Sequence, residues 1–149
     1  MRAVVQRVSC ASVSVDGEYI SKIDKGLVAF IGVSVDDKIE DVDYIADKIV
    51  NLRIFEDENG KMNRSIQDID ASLLIISQFT LLGDVRKGRR PSFIKAAPPE
   101  KAQKLYEALV DSCKKKVKTV EKGQFQAHMI INVLNDGPVT VLLDSDKLF

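Results

Sequence analysis

The apolar run Leu73-Leu74-Ile75-Ile76 ends in Ser77-Gln78-Phe79-Thr80, where two hydroxyls and a carboxamide follow four aliphatic side chains. Such a cluster can be turn chemistry alone, because short polar side chains satisfy backbone groups where strands end. It can equally orient a polar substrate through Ser77, Gln78 and Thr80, while backbone N–H groups at the strand end hold a developing oxyanion. A threonine hydroxyl becomes a nucleophile only with a base beside it. The single histidine, His128, is a candidate base by elimination. A second interruption is Asn135-Asp136-Gly137-Pro138-Val139-Thr140. Asp-Gly favours a tight hairpin, yet Pro138 withholds the donor that a following strand residue would contribute. Glycine permits backbone angles closed to other residues, so Gly137-Pro138 reads either as an edge turn or as a rigid element that aims carbonyl oxygens.

The elements that must position these segments follow from periodicity. Val13 and Val15 alternate with Ser12, Ser14 and Asp16 before Gly17, which predicts a first hairpin over Ala3 to Ile23. Leu27 to Val35 reads as a buried strand. Asp36 or Asp37 can cap a first helix, with Glu40 completing a capping box and Ile39, Val42, Ala46, Ile49 and Val50 on one face. A strand at Leu52 to Glu56 turns through Asn59-Gly60, and Leu73 to Thr80 is a further strand. Pro98-Pro99 opens a second helix whose Ala102, Leu105, Tyr106, Leu109 and Cys113 keep helical spacing and read as core. Ala127 to Leu134 alternates, so it predicts a penultimate strand with Met129 and His128 on opposite faces. The Asn135-Asp136-Gly137 turn then leads into a last strand, Val139 to Leu143. With no linker, repeat or low-complexity tract, the reading is one α+β domain over 1–149, with a mainly antiparallel, barrel-like sheet and two principal helices.

Composition excludes several classes. The 149 residues are 45% hydrophobic and 30% charged, which fits a globular protein and not a disordered or fibrous one. The longest apolar run, Gly26 to Val35, is far shorter than the roughly 20 residues of a membrane-spanning helix. Met1 to Val8 breaks its apolar residues with Arg2, Gln6 and Arg7 and so lacks a secretory h-region, which places the expected location in the cytoplasm. Cys10 and Cys113 form no Cys-x-x-Cys pattern and read as buried small hydrophobes. Neither a metal-ligand cluster nor a cofactor motif is present, so none is expected. The 22 basic and 22 acidic residues balance overall but not locally. Asp36 to Glu58 holds nine acids against three bases; Asp84 to Lys104 holds seven bases against two acids; Lys114 to Lys122 holds five lysines against one acid. The basic stretches read as a phosphate-binding face or as solvated surface.

Five segments together resemble the D-aminoacyl-tRNA deacylase family: Met1-Arg2-Ala3-Val4-Val5-Gln6-Arg7-Val8, Gly60-Lys61-Met62-Asn63, Ser77-Gln78-Phe79-Thr80, Arg86-Lys87-Gly88-Arg89-Arg90-Pro91-Ser92-Phe93 and Asn135-Asp136-Gly137-Pro138-Val139-Thr140. They occur in the family's order and spacing along essentially the whole chain. The resemblance implies a homodimer that hydrolyses the ester joining a D-amino acid to the terminal adenosine of tRNA, a chirality proofreading step in translation. It implies that Gly137 and Pro138 form a cis pair inserted into the partner's site. Ser77, Gln78, Phe79 and Thr80 would flank the scissile ester as the catalytic segment, Arg7 would brace the Gly-Pro loop, and Met129 would line the pocket. Asn135, Val139 and Thr140 are expected in the same substrate-binding set, and Arg86, Lys87, Arg89 and Arg90 on the tRNA. Gln126 stands where relatives commonly carry glycine, and His128 where a small polar or acidic residue is expected. Two mechanisms compete: a Thr80 acyl-enzyme, or Phe79 and Thr80 amides polarising the ester while Gln78 orients it and the substrate's 2′-hydroxyl assists water. Rival readings are a non-catalytic RNA-binding module and a proofreading deacylase for mischarged L-aminoacyl-tRNA.

Overall fold

The computed structural model describes residues 1–148. Strands β1 (Arg2–Val15), β2 (Glu18–Ile23) and β3 (Gly26–Gly32) are followed by helix α1 (Ile39–Asn51) and a small hairpin of β4 (Phe55–Glu56) and β5 (Met62–Arg64). Then come β6 (Ser72–Ser77), a 3₁₀ turn (Phe79–Leu82), helix α2 (Pro99–Lys114), β7 (Val120–Lys122) and the long strand β8 (Ile130–Asp144). β1 pairs antiparallel with β2, β3 and β8, whereas β3, β6 and β7 run parallel. The sheet is therefore mixed, and it curls into a nearly closed barrel. The parallel pairs arise because each of the two helices is a crossover between neighbouring strands, which a short hairpin loop could not provide.

Both sheet faces are covered. One face packs Leu27, Ala29, Ile31, Leu73 and Ile75 against Ile45, Ile49, Tyr106 and Leu109 of the helices. The other gathers Val8, Val13, Val28, Leu74 and Ile76. That double burial is why Leu73 to Ile76 reads as an unbroken apolar run instead of alternating. Cys113 is buried in the helix layer, and burial pushes its thiol up to about 12. Cys10, read from sequence as buried, is only half-buried: it points to the opposite face of β1 from buried Ala11 and Val13.

Several boundaries differ from the periodicity reading: β3 ends at Gly32 and not Val35, and the strand expected over Leu52 to Glu56 is only Phe55–Glu56. Asp37 is not the cap of α1: it turns inward, 4% exposed, accepting the Ser34 N–H at 2.6 Å and the Met1 ammonium. Lys38 flanks the helix instead and donates its N–H to the Asp41 carboxylate at 2.8 Å. β6 stops at Ser77, and the chain enters the 3₁₀ turn at Phe79. The two strands expected at the C-terminal end are one strand, β8, that starts only at Ile130. Between the pairs Val8–Asn135 and Gln6–Thr140 it bulges outward, so Arg7 alone faces residues 136–139. Pro138 is tolerated there because β8 pairs only with β1 and the bulge has left the ladder.

Candidate active site

The catalytic candidates sit where β6 runs out. Gln78 donates its N–H to the Ile31 carbonyl at 2.7 Å, which extends the parallel β3–β6 pairing by one residue. The chain then tightens: the Leu81 N–H reaches Gln78 O at 3.3 Å and the Gly83 N–H reaches Thr80 O at 3.0 Å. A helical turn leaves its first N–H groups without internal acceptors. Here those groups belong to Phe79 and Thr80, neither of which has a backbone acceptor among the described residues. The turn can close against the sheet only because residue 32 is glycine; a Cβ there would lie 2.5 Å from Leu82 and 3.1 Å from the Gln78 carbonyl. Arg2 holds the far side, donating to Leu81 O at 3.1 Å and to the Asp144 carboxylate at 3.0 Å. The Gln78 amide donates to the Thr80 hydroxyl, which leaves Gln78 unable to take a proton from it.

The start of this segment forms one wall of a cleft of about 710 Å³, while Thr80 is not among its lining residues. Ser77, Gln78 and Phe79 line it beside Ile31 and Val33. Opposite stand Ala97, Pro98, Ala102 and Tyr106 from the entry to α2, and the arm from Phe125 to Met129 closes the third side. Tyr106 is fixed by donating its hydroxyl to the Ile75 carbonyl at 2.8 Å, and burial pushes its phenol well above the usual range. Phe125 lies tilted against it with ring centroids 6.0 Å apart. Phe79 is exposed at the lip and meets Phe93 edge-to-face at 5.0 Å. Alternation predicted His128 and Met129 on opposite faces, yet both line the cleft. The arm is irregular, and Gln126 adopts φ +60°, so period two does not apply there.

Gly137 and Pro138 are exposed and lie outside this cleft. Their peptide bond is cis. Arg7, 8% exposed, holds the bulge with Nε donating to Asp136 O at 3.0 Å and Nη1 donating to Ile54 O at 2.7 Å. Asn135 spans it from the other side: its Oδ1 accepts the Val139 N–H at 2.8 Å, while Nδ2 approaches the Thr140 hydroxyl at 3.2 Å. Gly137 has φ +135°, and an added Cβ would come 2.7 Å from Val139 and 3.1 Å from Arg7. The bulge is thus a held main-chain projection. Of the substrate-binding candidates, Met129 joins the catalytic segment in the cleft, whereas Arg7, Asn135, Gly137, Pro138, Val139 and Thr140 assemble at the separate bulge.

The basic segment forms an exposed loop closed by paired hydrogen bonds between Asp84 and Ser92, 2.8 and 2.9 Å long. Arg86 folds back onto Asp84, whose carboxyl it holds far below the usual range, while Lys87, Arg89 and Arg90 stand exposed around Gly88. The lysines after α2 fare differently. Lys116 pairs with Asp47, Lys118 with Asp70 and Lys122 with Glu107, so much of that second basic stretch is neutralised within the fold. Sequence reasoning assigned Tyr106 to the core and singled out neither Phe93 nor Phe125. An aromatic residue in an apolar stripe carries no signal that it also lines a cleft.

Known proteins give the arrangement its family. The sequence model described as D-Tyr-tRNA(Tyr) deacylase matches residues 4–144. Proteins named D-aminoacyl-tRNA deacylase from Clostridioides difficile and Thermosipho africanus are 61% and 58% identical over 149 residues, covering 100% of each chain. A solved structure of the c-Myc DNA unwinding element binding protein superposes with a TM-score of 0.92 at 41% identity, over 97% of this chain and 98% of that one. A structure described as a probable eukaryotic D-amino acid tRNA deacylase shares the fold alone, with a TM-score of 0.82 at 16% identity over 95% and 97% of the two chains. Matched end to end by these relatives, the chain belongs to the D-Tyr-tRNA(Tyr) deacylase family.

Proposed function

We propose that this protein is a hydrolase that cleaves the ester between a D-amino acid and the terminal adenosine of tRNA, releasing free D-amino acid and tRNA. The observation that carries the reading is the pair of unengaged amides, Phe79 and Thr80, in the turn whose first residue, Phe79, lines a cleft large enough for an aminoacylated nucleoside. An aminoacyl ester is already activated, so positioning and oxyanion stabilisation suffice for its hydrolysis. The Phe79 and Thr80 N–H groups polarise the ester carbonyl, Gln78 and Ser77 orient the substrate, and its neighbouring 2′-hydroxyl assists the attacking water. Thr80 positions and does not attack, since its hydroxyl is engaged by an amide donor and not by a base. Met129 lines the pocket beside the reacting end.

The active unit is a homodimer in which the Gly137-Pro138 projection of each subunit completes the other's cleft. Three features support this: the projection stands clear of its own cleft, Arg7 and Asn135 hold it rigid, and β8 leaves Ile130, Leu134 and Leu142 exposed along an unpaired edge. Carbonyls of Gly137 and Pro138 would accept from the substrate's α-amino group, with Val139 and Thr140 shaping the loop base. An L side chain would then meet main chain and be rejected by clash. Glycine escapes that filter, so glycyl-tRNA is also cleaved. Lys87, Arg89 and Arg90, with Arg86 shaping their loop, contact tRNA phosphates. The whole chain, 1–149, acts as one deacylase domain in the cytoplasm, without a cofactor.

Release of free amino acid from D-tyrosyl-tRNA but not from L-tyrosyl-tRNA tests the assignment. The reverse preference makes it an L-specific proofreader, and binding without release makes it an RNA-binding module. Thr80→Ala is expected to retain substantial activity. Near-complete loss in Thr80→Ala with recovery in Thr80→Ser would establish the acyl-enzyme route instead.

A further inference from the structure

We infer that Gln126 reads the base of the substrate's terminal nucleoside and sets a preference for adenine. The inference deepens the deacylase reading and rests on it. Asp16, Asp70, Gln126 and Lys147 are the non-glycine residues with positive φ among the described residues, and of these only Gln126 lines the cleft. Its φ of +60° lies where a side chain is disfavoured for any residue but glycine, with Asn and Asp the usual exceptions. Packing does not compensate, because the residue is exposed and its carboxamide makes no hydrogen bond among the described residues. A backbone held in a sparsely populated conformation at a cleft points to a use for the group it presents.

The surroundings specify that use. The Gly123 N–H donates to Ile75 O at 2.9 Å, so the arm bearing Gln126 leaves the sheet beside the strand that ends at Ser77. Phe125 lies against Tyr106, and Ala97, Pro98 and Ala102 face them, giving an apolar space suited to a flat ring. Gln126 adds one planar donor–acceptor edge at the wall of that space. A carboxamide pairs in a bidentate manner with adenine, accepting from the 6-amino group and donating to N7. The amino-acid side chains of different D-aminoacyl-tRNAs share no polar group that one fixed amide could read. The terminal adenosine is common to all of them, so a fixed contact serves there.

The test compares D-tyrosyl-tRNA ending in adenosine with the same tRNA ending in inosine, whose 6-oxo group cannot donate. One good bidentate contact discriminates by about 5- to 150-fold, and the wild-type protein is expected to favour adenosine by that order in kcat/KM. Gln126→Gly should reduce the ratio to near one while melting no lower than wild type, since glycine suits the left-handed backbone. Gln126→Glu keeps the side-chain length and the acceptor for the 6-amino group but loses the donor to N7, which both bases share, so it should lower kcat/KM for both substrates and keep the preference for adenosine. Equal cleavage of both substrates by wild type overturns the inference and leaves the deacylase reading standing. So does an undiminished preference in Gln126→Gly, or a preference lost in Gln126→Glu as it is in Gln126→Gly. A wild-type protein that cleaves neither substrate refutes the deacylase reading, and this inference with it.

Discussion

Replacing Arg7 tests how the Gly137-Pro138 projection is held. Its guanidinium is 8% exposed and donates to two carbonyls on different segments, Ile54 at 2.7 Å and Asp136 at 3.0 Å, with the Asp136 carboxylate 3.7 Å from Nε. Hydrogen bonds to a charged group are worth about 1.5–3 kcal/mol each. Arg7→Ala, which removes both and leaves two acceptors short of a donor, is therefore expected to cost about 3–6 kcal/mol. Against a total of about 5–15 kcal/mol for a natural domain, that is a large fraction. Arg7→Lys is more informative. It keeps the charge, but a single ammonium cannot span the fork that a guanidinium fits, so one carbonyl goes unserved at a cost of about 1–3 kcal/mol. Urea unfolding followed by circular dichroism gives the stability, and release of D-tyrosine from D-tyrosyl-tRNA gives the activity. Arg7→Lys should fold and lose at least about tenfold in kcat/KM, equivalent to about 1.4 kcal/mol of misplaced projection. An Arg7→Lys protein with wild-type kcat/KM would refute the bracing argument. An Arg7→Ala protein within about 0.5 kcal/mol of wild type, the range of ordinary surface substitutions, would refute the energetics.

Stability should fall in alkaline solution: burial raises the native Cys113 thiol from 9.0 to about 12, so its contribution is complete below pH 9 and is lost as pH rises towards 12. Tyr106 adds in the same direction, and Cys113→Ala should remove the first part of the decline in urea midpoint between pH 9 and 10. Changing Lys87, Arg89 and Arg90 together to alanine should lower the salt slope of tRNA affinity by about 2–3 in log–log units, as expected for three lost phosphate contacts. Arg86→Ala should change the slope less, because Asp84 already engages that guanidinium; equal slopes for the two variants would contradict this. Asn135→Ala removes all three side-chain hydrogen bonds across the bulge, and it should lower kcat/KM for D-tyrosyl-tRNA while the protein still folds.

Much of this architecture is legible before any coordinates. Ile39 to Val50 and Ala102 to Cys113 repeat at helical spacing, and both segments are helices because tertiary packing and local pattern agree there. The parallel half of the sheet was harder to read. Val120–Lys122 has three residues, two of them charged, and too little length for a period to show. Asn135-Asp136-Gly137 looks like a hairpin turn, yet Asn135 folds its side chain over the Val139 N–H and the strand continues beyond a bulge. Turn residues report local backbone preference, not whether the chain reverses. The segments Ser77 to Thr80 and Gly137-Pro138 stand out because they break their surroundings. The apolar walls of the cleft do not, since Tyr106 satisfies the same stripe whether it meets core or cleft.

The ion pairs of Lys116 with Asp47 and Lys118 with Asp70 join the basic stretch after α2 to acids on and beyond α1, so part of its charge is cancelled in space. Among the described residues, Lys87, Arg89 and Arg90 have no such ion-pair partner. What remains is a neutral body with a lopsided field, which exerts torque on an approaching polyanion more than net pull. A tRNA would be turned to present its end before contact and would feel little long-range attraction on leaving. Rapid, oriented capture and prompt release can thus coexist in a protein whose charges sum to zero.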